Sequence, residues 1–121
     1  MTKTALIVDD SLTIRQLVAH TLREAGFEIL EGSNGQEGLA RLEGASIQLI
    51  ITDINMPVMD GLTFVKNVRQ HPTHKFTPIL VLTTESGDAK KSAGRVAGAT
   101  GWLVKPFQPE ALLGVVKKVV A

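Results

Sequence analysis

Apolar residues in this chain come in short blocks separated by stretches with a helical rhythm. Five blocks, Ala5 to Val8, Glu28 to Glu31, Leu49 to Thr52, Ile79 to Thr83 and Trp102 to Val104, read as strands, and four of them are rich in Ile, Leu and Val without period-two alternation. Strands covered on both faces have that composition, because both sides of the pleat meet apolar neighbours. The intervening segments repeat their apolar residues at helical spacing. The first starts near Leu12 or Thr13, carries Ile14, Leu17, Val18 and Leu22 on one stripe, and stops at Ala25-Gly26, where glycine suits a helix end. The second takes Asn34 as its cap and carries Leu39 and Leu42; the third runs from Leu62 to Gln70 with Phe64, Val65 and Val68 inward. Pro109 fits the first position of the last helix, whose stripe is Leu112, Leu113, Val116, Val119 and Val120, with Lys117 and Lys118 at the end that favours cations. Ser86 to Ala99 is a weaker helical segment: its stripe is Ala89, Ala93, Val96 and Ala97, and Gly94 and Gly98 each cost about 1 kcal/mol relative to alanine.

Strand and helix thus alternate with short connections, which predicts an α/β fold: a doubly wound parallel sheet of five strands with five helices on its two faces and right-handed crossovers. A chain of 121 residues is one domain, expected over 1–121. It should bury about two-thirds of its unfolded surface around one core. No repeat, linker or low-complexity tract interrupts it.

Composition narrows the function classes. Hydrophobic residues make up 44% and charged residues 21%, and the net charge of +1 provides no field for nucleic-acid or membrane binding by bulk attraction. The absence of cysteine removes disulfides, thiolate catalysis and cysteine zinc sites. The apolar run after Lys3 is broken at Asp9, too early for a signal or a membrane span, so the expected location is cytoplasmic.

The polar residues fall where such a sheet places its chemistry. All strands of a parallel sheet end at one edge, and ligands bind there, at the topological switch point. Asp9 and Asp10 follow the first strand, Asp53 the third, Thr83 and Thr84 the fourth, and Lys105-Pro106 the fifth. Crowded carboxylates repel and need a compensating cation. An oxygen-only donor set favours a hard divalent ion, usually magnesium, and Lys105 adds a fixed positive charge. An aspartate in that setting can act as a nucleophile toward phosphorus, with Thr83 donating its hydroxyl to a phosphoryl oxygen.

The pattern Asp9-Asp10, then "DINMPVMDG" from Asp53 to Gly61, then Thr83-Thr84-Glu85, then "KPF" from Lys105 to Phe107 resembles the receiver domain of bacterial response regulators, in particular the chemotaxis (CheY-like) type. The resemblance covers essentially the whole chain and implies the flavodoxin-like strand order 2-1-3-4-5. It implies that Asp53 accepts a phosphoryl group from a histidine kinase. Mg2+, or Mn2+ in its place, would be held by the side chains of Asp10 and Asp53, the backbone carbonyl of Asn55, and Asp9 through a water. Lys105 would pair with the phosphoryl group or Asp53, Thr83 would move toward it, and the Lys105-Pro106 bond would be cis. Trp102 occupies the aromatic switch position, three residues before the lysine, where tyrosine or phenylalanine is more usual. Asn55 and Glu85 sit where the family tunes phosphoryl lifetime.

The resemblance also implies a downstream protein target, the flagellar motor switch in a chemotaxis system, and a phosphatase. The expected partner surface is the helix at 86–99, the following strand and the last helix, with Lys90, Lys91, Arg95 and Trp102 contributing. His20, His71 and His74 lack ligand spacing with the acidic edge and read as surface residues. Met56 and Met59 read as packing at the site's rim. A small magnesium phosphohydrolase is the competing reading, but such enzymes carry a second aspartate two residues after the nucleophile, and here that position is Asn55. A flavin site is disfavoured because no Ser, Thr and Gly-rich loop follows the first strand. The expected role is therefore a signalling phosphoacceptor rather than a dedicated enzyme, either stand-alone or excised from a larger regulator or hybrid kinase.

Overall fold

A computed structural model describes residues 3–83 and 98–120. The elements, in chain order, are β1 (Lys3–Val8), α1 (Leu12–Glu24), β2 (Phe27–Gly32), α2 (Gly35–Leu42), β3 (Leu49–Asp53), α3 (Gly61–Arg69), β4 (Ile79–Thr83), β5 (Gly101–Val104) and a C-terminal helix (Pro109–Val119). All neighbouring strands pair in parallel, in the order β2-β1-β3-β4-β5, as the resemblance implied. Four helices lie among the described residues; the one expected at 86–99, with Glu85, Lys90, Lys91 and Arg95, falls outside them.

Local chemistry sets the helix ends. The Ser11 hydroxyl caps α1 by accepting from the Ile14 N–H, and the Asn34 and Asp60 side chains do the same for Glu37 in α2 and Thr63 in α3. Gly26, at φ +96°, turns the chain out of α1 into a region that a side chain resists. On α1 the buried positions are Val18, Ala19, Thr21 and Leu22, while Leu17 is 39% exposed. The expected stripe was therefore displaced: Leu17 lies off its edge, and Ala19 and Thr21 complete it.

The single core expected from the length is two cores. Successive side chains of a strand point to opposite sides of the sheet. Leu6, Val8, Ile50, Ile79 and Val81 thus meet Leu42, Phe64, Val65 and Val68 under α2 and α3. Ala5, Ile7, Leu49, Ile51, Leu80 and Leu82 meet Val18, Leu22, Leu112 and Val116 under α1 and the C-terminal helix. The three central strands are buried over most of their length, whereas the edge strands β2 and β5 are largely half-buried. Arg69, at the end of α3, ties the rear of the sheet together: it donates to the carbonyls of Gly98 (2.9 Å) and Thr77 (2.7 Å), joining the approaches to β4 and β5.

His74, read from sequence as a surface residue, is only 2% exposed. It lies in the α3–β4 connection against the ring of His71, with centroids 5.0 Å apart. Burial, and then the neighbouring His71, push its pKa below the usual 6.5, against smaller opposing pulls from Glu43 and the Ala45 backbone. The unfolded imidazole takes up a proton at higher pH than the folded one, so stability should fall as pH drops below about 6.5. Melting curves at pH 7.5 and 5.5 check this: His74→Leu should lose less stability on acidification than the parent, and equal losses would remove His74 as the cause.

Candidate functional site

Strand register assembles the site. Val8 pairs with Thr52, so Asp9 and Asp53, one residue further along each strand, end side by side. Thr83 pairs with Val104, which brings Lys105 to the same edge. Each of Asp9, Asp10 and Asp53 offers a carboxylate oxygen, all within 4.8 Å of one another. Lys105 Nζ lies 2.9 Å from Asp9 Oδ2 and 3.3 Å from Asp53 Oδ2. One ammonium therefore serves two of the three carboxylates.

Burial grades the acids. Asp9 is 1% exposed, Asp53 is half-buried, and Asp10 faces solvent. Asp9 is held on every side: its N–H donates to the Gly32 carbonyl (3.1 Å), its Oδ1 accepts from the Ser11 N–H (2.8 Å), and its Oδ2 from Lys105. Asp53 Oδ1 accepts from the Ile54 N–H (2.8 Å), leaving Oδ2 toward the lysine and the crevice. Burial, reinforced by repulsion from Asp9, pushes the Asp53 carboxyl above the usual aspartate range, against the pull of Lys105 and the Ile54 N–H. A carboxylate so destabilised gains by meeting a further cation or by forming a bond at Oδ2.

Backbone packs closely at the floor of the site. Gly61 opens α3 with its N–H on the Ile54 carbonyl (2.7 Å), and a Cβ there would overlap the Asp53 carbonyl oxygen. The glycine of "MDG" thus lets α3 seat directly under the acidic strand end. Met56 and Met59 pack against the core beneath α2 and α3, as expected of rim residues, and Asn55 is exposed in the loop. Thr83 is fully buried, and its carbonyl accepts from the Lys105 N–H (2.7 Å). The Lys105-Pro106 peptide is cis. Trp102 pairs with Val81 and packs half-buried against the α2–α3 core, two residues before the strand's end.

Sequence reading brought Asp9, Asp10, Asp53, Thr83 and Lys105 to this edge, and the coordinates put them there. It missed the supports: Ser11, the Ile54 N–H, and Arg15, whose Nη1 donates to the Asp9 carbonyl (2.6 Å). The serine carried a signal, since a Ser directly before a helical run is a capping residue. The donor set is all oxygen, clustered and partly buried against a lysine, which fits a small hard cation.

Comparison with known proteins agrees with this geometry. A family model described as the response regulator receiver domain matches residues 5–117. The chain is 42% identical over 109 residues to "Chemotaxis protein CheY1" of Helicobacter pylori, covering 88% of each. Among solved structures, Vibrio cholerae chemotaxis protein CheY4 is similar at 52% identity and a TM-score of 0.95, over 99% of this chain and 100% of that one. The signal receiver domain of a histidine kinase from Syntrophus aciditrophicus is similar at 30% identity and a TM-score of 0.89, over 98% and 89%.

Proposed function

Because this chain belongs to the response regulator receiver family, we propose that it serves two-component signalling by taking a phosphoryl group onto Asp53 from a histidine kinase. The observation that carries this reading is the Lys105 ammonium lodged between Asp9 and Asp53 in a three-carboxylate cluster. An oxygen of the Asp53 carboxylate attacks phosphorus, the P–N bond to the kinase imidazole breaks, and the imidazole leaves with the electron pair. Lys105 and the Thr83 hydroxyl then face the added oxygens. Asp10, Asp53 and the Asn55 carbonyl would hold Mg2+, or Mn2+ in its place, with Asp9 acting through a water. A divalent ion bound there neutralises charge on the transferring group.

Thr83 and Trp102 form the switch in this reading, and Asn55 and Glu85 tune how long the phosphoryl group persists. The partner surface comprises the segment at 86–99, β5 and the C-terminal helix, with Lys90, Lys91, Arg95 and Trp102. Similarity to proteins named for chemotaxis supports a chemotaxis-type regulator with a downstream protein target such as the flagellar motor switch, and a phosphatase that resets it. Similarity to the receiver domain of a histidine kinase supports a second reading, the same module within a longer regulator.

The only tryptophan reports on the site. Adding Mg2+ and then a small phosphodonor or beryllofluoride should change Trp102 fluorescence in two saturable steps, and the phosphodonor should leave one equivalent of phosphate captured per chain. Multiple-turnover release of phosphate from monoesters would instead identify a phosphohydrolase. The expected class is a phosphoacceptor whose own catalysis is limited to its phosphorylation and slow dephosphorylation.

A further inference from the structure

Arg15 stands on the first turns of α1 and reaches back over the acidic strand end. Its Nη1 donates to the backbone carbonyl of Asp9 at 2.6 Å, and its Nε lies 3.2 Å from Glu31 Oε1 on β2. The side chain is 16% exposed, so this is no loose surface cation. The N–H of the same residue, Asp9, donates to the Gly32 carbonyl, one residue beyond Glu31. Arg15 and the end of β2 thus grip the first residue of the Asp9-Asp10 pair from two directions. The guanidinium suits this task, because its planar fork can satisfy a carboxylate and a carbonyl at once in fixed geometry.

We propose that Arg15 is a positioning residue for the cation site, an inference that rests on the phosphoacceptor reading above: by holding the Asp9 carbonyl it sets where the Asp9 and Asp10 carboxylates stand. Groups that orient ligands from behind are worth a large fraction of metal affinity. The prediction has a sign that plain electrostatics does not share. A positive charge near three carboxylates repels an incoming cation, so removing it should tighten binding if charge were all that mattered. If position matters more, removing it weakens binding.

The test is a Mn2+ titration of the full chain, following the electron paramagnetic resonance signal of free aqueous Mn2+. Arg15→Lys keeps the charge but cannot bridge Glu31 and the Asp9 carbonyl, and Arg15→Met removes both. Binding should weaken by about tenfold in Arg15→Met, the lower end of the loss seen for such supporting residues, and by less, about threefold, in Arg15→Lys, which keeps the charge. Parent-like or tighter binding in Arg15→Lys overturns the inference, and that variant decides alone if Arg15→Met fails to fold. A parent chain that binds no Mn2+ would sink the cation reading itself, and this inference with it.

Discussion

Replacing Asp53 by asparagine is expected to abolish phosphoryl capture and, in chelated buffer at neutral pH, to raise the melting temperature. The first effect follows from chemistry: an amide oxygen is no nucleophile toward phosphorus. The second follows from the electrostatics of the crevice. Burial and the neighbouring Asp9 raise the Asp53 pKa above its unfolded value, so the folded state holds that proton more tightly than the unfolded chain. Above the raised pKa both states are ionised, and the folded one bears the full penalty. On acidification through the raised pKa toward 3.8 the penalty fades. The variant's advantage should therefore be greatest near pH 7 and close toward pH 4. Intact-mass measurement after incubation with a phosphodonor, and melting curves across that pH range, check both effects. Phosphate retained by Asp53→Asn would mean another acceptor, and an advantage that does not shrink in acid would mean the charge is not its source.

Lys105→Met carries the opposite sign. The methionine has similar length and no charge, so Asp9, almost wholly buried, and Asp53 lose the ammonium at 2.9 and 3.3 Å. Removing one partner of a buried ion pair typically costs 3–5 kcal/mol, and with the backbone N–H of Ser11 still on Asp9 a loss of about 3 kcal/mol is expected at pH 7. Burial and the neighbouring Asp9 already push the Asp53 carboxyl up, so Asp53 would regain stability by protonation and the deficit should diminish as pH falls. Divalent cations should restore part of it. Urea unfolding with chelator, with Mg2+ and at lower pH measures all three, and parent-like stability in chelator would show that Lys105 is dispensable for holding the acids together.

The parts of this molecule that were legible in the sequence are those written in the nature of the side chains. Ile, Leu and Val blocks marked the strands within two residues at each end, and an acid or lysine after a buried strand marked the site edge. Phe64, Val65 and Val68 pointed inward as their spacing implied, and all three are fully buried. What escaped the reading depends on backbone geometry and on third parties. An arginine on a helix reads as a solvated charge until the helix is seen to run back past Asp9. His74 reads as polar until the α3–β4 connection folds it inward. The need for Gly61 was not legible either, because its reason is the Asp53 carbonyl packed where a side chain would stand. Leu17 shows the converse failure: an apolar side chain at plausible spacing is left outside because α1 turns Ala19 and Thr21 to the sheet instead.

The alternation of strand side chains between two cores has a further consequence. The sheet is a partition, and volume lost beneath α3 has no path by which atoms beneath α1 could move to refill it. Each compartment can be refitted by substitution without consulting the other. Their common border is the sheet itself, so a disturbance of its backbone is felt in both rooms at once.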